Sequence, residues 1–222
     1  MVKNQVIKVT VAERRERERE QRREEIINAA EKLFFSRGYD SVTMSDIAAE
    51  AEVPKSLLYY YFKDKESLFF VIVLRAARIF DRLMIERADR ETTGVAKLRA
   101  LGTALFEFSV QYPDYYDVYF YSGSQRFRKF NEEYGPEIMA LGSRTMEISI
   151  AAAKLGLEDG TLRQGLNPVE VAVFLARTSE GIVKTNPGIQ QLLESQGISR
   201  EQFMKDSVAF LEQAIRSVTT DR

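Results

Sequence analysis

Thr43-Met44-Ser45-Asp46-Ile47-Ala48-Ala49-Glu50-Ala51-Glu52-Val53-Pro54-Lys55-Ser56-Leu57-Leu58-Tyr59-Tyr60-Tyr61-Phe62 holds two short helical patterns with a break between them. Thr43 and Asp46 stand three residues apart at the head of the first. That is the spacing of a capping box, in which a hydroxyl and a carboxylate satisfy amides that a helix start leaves bare. Ile47, Ala48 and Ala51 follow on one face. Glu52-Val53-Pro54 breaks the pattern, and the fixed φ of Pro54 suits the opening of a second helix over 55–62. Ala48 is small enough to let the two helices approach, while Val53 and Leu58 fill the angle between them. Two short helices on a tight turn, braced by longer ones, predict a helix-turn-helix.

The braces lie on both sides. Upstream, Ile26, Ile27, Ala29, Ala30, Leu33 and Phe34 recur at helical spacing up to Ser36-Arg37-Gly38, with Gly38 as a left-handed cap. Residues 1–12 have no helical period and read as an arm; 13–25 are rich in Arg and Glu. Opposite charges three or four apart support a solvated helix start there. The alternative is an arm whose Arg14, Arg15, Arg17 and Arg19 touch phosphates or a minor groove. Downstream, Asp64 caps a helix from Lys65 to about Arg87 whose inner stripe is Leu68, Ile72, Ala76, Ile79 and Leu83. The expected organisation is 1–70 as the helix-turn-helix domain and 71–222 as a larger helical domain.

Composition agrees with an all-α chain. Apolar residues make up 45% of the 222, and only 5 Pro and 12 Gly interrupt long helical stretches. Cysteine and histidine are both absent, which excludes disulfides, thiolate nucleophiles and Cys/His metal sites and removes the commonest general base. No Gly-rich phosphate loop, nucleophile elbow or metal-binding helix motif is present, so neither an enzyme nor a cofactor is expected. The longest apolar run, Leu68 to Leu74, is far short of the roughly 20 residues that span a bilayer, and a cytoplasmic protein with no membrane partner is expected. Net charge is −1. Residues 1–70 carry equal numbers of acidic and basic groups, so an argument for nucleic acid must rest on local geometry.

The run Ile26-Ile27-Asn28-Ala29-Ala30-Glu31-Lys32-Leu33-Phe34, then Gly38-Tyr39, then Val42 through Ala48 and Ala51 through Leu68, resembles the tetracycline-repressor (TetR) family. The ending Leu58-Tyr59-Tyr60-Tyr61-Phe62-Lys63-Asp64-Lys65-Glu66-Ser67-Leu68 is its most specific part. One departure stands out: the inter-helix turn usually holds Gly, and here it is Glu52. A left-handed backbone there would strain the turn by about 1–2 kcal/mol. The resemblance implies a ligand-responsive transcriptional regulator, most simply a repressor, whose variable C-terminal helical domain binds an effector and forms a homodimer. Asn167-Pro168-Val169-Glu170, leading into Ala172-Val173-Phe174-Leu175-Ala176, looks like the family's penultimate, dimer-forming helix.

Physical chemistry assigns candidate roles. Lys55, Ser56, Tyr59 and Tyr60 fall on one face of the second short helix, fit for a major groove about 12 Å wide. Lys55 suits a guanine and Tyr60 a base edge or thymine methyl, while Tyr61 reads equally as contact or core. Thr43, Ser45, Tyr59 and Lys65 are placed to clamp phosphates, where helix starts already favour anions. Phe106 to Tyr134 is unusually aromatic, and each buried tyrosine hydroxyl needs a partner. Phe106, Tyr112, Tyr116, Phe120, Met139, Met146 and Phe174 are candidates to line a pocket for a small hydrophobic effector, with plain core packing the alternative. Arg126-Phe127-Arg128-Lys129 is either an anion site near its mouth or a solvated loop. Helices over about 168–185 and 200–218 would pair through Val169, Val173, Ala176, Phe203, Val208, Leu211 and Ile215 as a four-helix bundle, joined by the linker 186–199, in which Gln190 to Ser195 is compatible with one or two helical turns. The expected partners are double-stranded operator DNA, the effector and a second copy. A helical enzyme or lipid carrier and a protein-interaction module without DNA binding are the rival readings.

Overall fold

The computed structural model describes residues 10–124, 127 and 131–217. Among them lie ten α-helices, with one isolated antiparallel bridge between Leu162 and Arg216. The chain divides into two compact units, Met1–Ile72 with Asn131–Tyr134, and Val73–Phe130 with Gly135–Arg222. The division thus falls two residues beyond the 70/71 boundary read from sequence, and it assigns a short later segment to the first unit.

The first unit is α1 (Val11–Ser41), α2 (Met44–Glu50), α3 (Lys55–Tyr61) and the opening of α4 (Lys65–Asp89). α1 begins earlier than the arm reading expected, because Thr10 and Glu13 form a full capping box. Arg14–Glu18, Glu16–Arg19 and Arg22–Glu25 ion pairs then carry it outward through solvent. The first nine residues of the predicted arm lie outside the described residues. α1 breaks at Gly38, whose φ of 74° and ψ of 157° suit glycine alone but are not the left-handed helical cap expected. Ile26, Ile27, Ala30, Leu33 and Phe34 from α1 are buried, as are Val42, Ile47, Leu58, Phe62 and Leu68.

The second unit holds the rest of α4 with α5 (Gly94–Gln111), α6 (Pro113–Ser122), α7 (Gly135–Glu158), α8 (Pro168–Val183), α9 (Pro187–Ser195) and α10 (Arg200–Ile215). α9 occupies much of the linker read from sequence, and the tail of the helix drawn to 218 lies partly outside the described residues. The buried stripe of α4 continues from Ala76 through Ala77, Phe80, Met84 and Ala88. Ile79 and Leu83, placed on that stripe from sequence, are its half-buried flank, because the true row steps by three at Ala77–Phe80. α5 and α7 cross in direct backbone contact. A Cβ on Gly94 would overlap N and Cα of Gly156 and stand 2.6 Å from the Ala152 carbonyl oxygen. The α5 start is capped from afar: the Gly94 amide donates to Asp159 and the Val95 amide to Thr161.

Candidate nucleic-acid interface and effector cavity

The α2–α3 turn is built by local chemistry. Thr43 Oγ1 accepts from the Asp46 amide at 3.2 Å, and Asp46 accepts from the Thr43 amide at 2.8 Å. The Thr43 hydroxyl also donates to Asp46 Oδ2 at 2.6 Å, and this bond, followed by that from the Thr43 amide, holds the Asp46 carboxyl below the usual carboxylate range. At the far end the Val53 amide reaches the Ala48 carbonyl and the Glu52 amide reaches that of Ala49. This is a Schellman closure, which requires its central residue to be left-handed. Glu52 takes that position with φ 52°, alone among the described non-glycine residues. The strain foreseen for this residue is therefore present.

α3 is a two-turn helix whose N-cap, Pro54, offers no side-chain bond. Leu58 is fully buried and anchors it, and Phe62 closes it against the core. On the opposite face Lys55 and Ser56 are exposed, Tyr59 is 53% exposed and Tyr60 69%. Tyr61 is half-buried with its ring edge-on to Tyr60 at 5.2 Å. Thr43 and Ser45 are also exposed at the α2 start. A guanidinium from the charged helix, Arg19, is bonded to Glu16 at 2.7 Å. Lys65 is placed differently from the phosphate clamp read from sequence. Its Nζ donates to the carbonyls of Tyr39 and Val42, each at 2.8 Å, and sits 4.2 Å over the Tyr39 ring. It ties the chain before α2 to the start of α4.

The second unit holds a partly open cavity of about 260 Å³. Its apolar wall comes from Phe80 and Met84 of α4, Leu98, Leu101 and Leu105 of α5, Tyr119 and Phe120 of α6, Met146 of α7, Leu175 and Ala176 of α8, and Val208, Leu211 and Ile215 of α10. Polar groups are few: Thr145, Ser149, Ser179 and two ion pairs, Arg99–Glu212 at 3.3 Å and Arg177–Glu180 at 2.5 Å. In both pairs the carboxylate is the less exposed partner, Glu212 at 13% against 47% for Arg99 and Glu180 at 24% against 76% for Arg177. The Tyr119 hydroxyl is pushed up by burial, with Asp81 and Glu180 adding to the effect.

Of the seven pocket residues read from sequence, Phe120 and Met146 line this cavity. Tyr116 lies behind the wall with its ring 4.6 Å from that of Phe120. Burial pushes its phenol up to about 12, and its hydroxyl has no hydrogen-bond partner among the described residues. Phe106 packs beneath the Arg200 guanidinium, while Tyr112, Met139 and Phe174 are exposed. Conversely Ala176, Val208, Leu211 and Ile215, assigned from sequence to a dimer face, point into the cavity. Val169 and Val173 remain exposed on α8, Phe203 is half-buried, and Phe174 joins the exposed apolar set. Phe210, missed from sequence, is 70% exposed on α10. Its signal was a large aromatic one position off the inward stripe. Of the Arg126–Lys129 cluster only Phe127 is described, and it is buried; the three cations lie outside the described residues. No group of acidic residues among those described is placed to hold a metal ion. Among them no helix is long and apolar enough to cross a membrane.

Residues 26–72 match the sequence model of the bacterial regulatory proteins of the tetR family. The HTH-type transcriptional regulator HbdR of Aromatoleum sp. (strain CIB) is 35% identical over 79 residues, 36% of this chain and 34% of that protein. The chain thus aligns with about a third of that relative's length. Among solved structures, AibR in complex with isovaleryl coenzyme A and operator DNA is 20% identical, with a TM-score of 0.66 over 85% of this chain and 97% of that one. The regulator FadR from Bacillus subtilis in complex with stearoyl-CoA is also 20% identical, with a TM-score of 0.64 over 86% and 98%. At these identities the structural likeness establishes the all-α fold.

Proposed function

We propose, from the premise that this chain belongs to the TetR family of bacterial regulatory proteins, that it is a ligand-responsive repressor. It binds a palindromic operator as a homodimer and releases it when a small hydrophobic effector is bound. The observation that carries this reading is α3: its inner face is locked by Leu58 while Lys55, Ser56, Tyr59 and Tyr60 stand in solvent together. A protein-interaction module would not need a lysine at the N-terminal end of such a helix, where base edges are usually reached. Thr43 and Ser45 supply phosphate contacts beside it. Two copies pairing through the exposed Val169, Val173, Phe174 and Phe210 would offer two such helices to grooves about 34–36 Å apart.

The cavity is the effector site in this reading. Its apolar wall suits an acyl chain. The acyl-coenzyme A complexes of AibR and FadR support testing acyl thioesters first. The deciding experiment is selection of bound sequences from random DNA by the intact protein, repeated with isovaleryl-CoA, stearoyl-CoA and a hydrophobic amine. A palindromic consensus whose affinity falls steeply with salt supports the reading, and its loss with one ligand names the effector class. Absence of any enriched sequence refutes it.

A further inference from the structure

We propose that Arg23 is a positioning residue for the DNA-reading helix α3, and that Tyr134 is the group that holds Arg23 in place. The inference rests on the reading of α3 as the DNA-contacting element. A seven-residue helix has little stability of its own, so its orientation is set by what grips its ends. The N-terminal end is gripped by the Schellman turn. At the other end stands Phe62, buried at the C-cap, and the Arg23 guanidinium lies 5.3 Å over its ring.

Arg23 is itself fixed on its edges. Nη2 donates to the Tyr134 hydroxyl at 3.2 Å, and Glu20 and Glu24 flank Nη1 at 3.7 and 3.9 Å. The two carboxylates belong to α1 and move with Arg23, so among these partners Tyr134 alone ties it to another segment. Tyr134 is brought there by a short turn in which Asn131 Oδ1 accepts from the amides of Glu133 and Tyr134. Residues 131–134 accordingly belong to the first unit, although Gly135, the next residue, opens α7, whose Thr145, Met146 and Ser149 line the cavity. The last residue before the cavity-lining helix is thus the one that steadies the C-cap of α3.

Tyr134→Phe deletes one hydroxyl and tests the inference in two ways. Hydrogen exchange of the free protein should show the amides of 57–62 opening faster, with those of α5 unchanged and the melting temperature held. On the operator recovered by selection, affinity should fall about 3- to 10-fold with the salt slope unaltered, because no phosphate contact is lost. Arg23→Ala should weaken binding more, and adding Tyr134→Phe to it should cost nothing further. Unchanged exchange in α3 overturns the inference, as does a salt slope that drops by about one in Arg23→Ala, the mark of a direct phosphate contact. Failure to find any operator sinks the DNA reading instead, and the exchange result still decides whether Arg23 and Tyr134 position α3.

Discussion

The two units of this chain are held together in opposite ways. In the first, the longer ties of Lys65 to Tyr39 and Val42 and of Arg23 to Tyr134 are single side-chain bonds, and the contacts that shape the helix ends are close in sequence: Thr43 with Asp46, Ala48 with Val53, Thr10 with Glu13. In the second they are distant: Gly94 against Gly156, the Gly94 amide on Asp159, a cavity walled by six different helices. Local bonds each contribute about 1 kcal/mol and can be lost singly. Long-range close packing has no such slack, because a misplaced atom displaces a whole helix.

That contrast predicts an ordering of effects. Gly94→Ala should be the most damaging single methyl, costing about 3 kcal/mol or more in chemical denaturation, since backbone rather than a flexible side chain stands in its way. A cost under about 1 kcal/mol would mean that α5 and α7 separate freely, and the contrast would break. Next, replacing both Lys55 and Tyr60 with Ala should erase sequence preference, at about 1–3 kcal/mol per lost base contact, while leaving the melting curve in place. Competition binding between the selected operator and scrambled DNA measures this.

Thr43→Ala should cost about 1 kcal/mol, less than the Gly94 methyl, read as a lowered denaturant midpoint. The same capping box adds a pH dependence. The Asp46 carboxyl is held below its ordinary range by bonds from Thr43, so its stabilising contribution is complete above the unfolded-state value and disappears as pH falls through the folded one. The acid limb of the stability curve should flatten in Thr43→Ala. The mildest expected change runs the other way: Glu52→Gly relieves the left-handed backbone and should stabilise by about 1 kcal/mol, offset in part by the added freedom of glycine in the unfolded chain.

The same contrast explains what was legible in the sequence. The capping box at Thr43, the turn at Glu52, the Asp64 cap that receives the Ser67 amide, and the Asn167-Pro168 start of α8 are all short-range signals, and each is found in the structure. The cavity was not legible at the level of residues. Helical periodicity says which side chains turn inward, but a side chain facing a hole and one facing another side chain leave the same pattern. Hence periodicity gives Tyr116 and Phe120, one turn apart, the same role, although Phe120 lines the cavity and Tyr116 lies behind it. Val208, Leu211 and Ile215 form an inward stripe that a dimer face and a cavity wall write identically, and only the outlying Phe210 marks the other side of α10.

The bare crossing of α5 and α7 has a mechanical meaning. Where two main chains touch with no side chains between them, there is no layer of rotamers to shear, and the joint behaves as the rivet of a pair of dividers. Gly94 is the first residue of α5 and Gly156 lies near the end of α7, so the rivet sits at one extremity of both legs. Making room further along, around Leu105 and Met146, then means splaying the legs about that point rather than sliding one past the other.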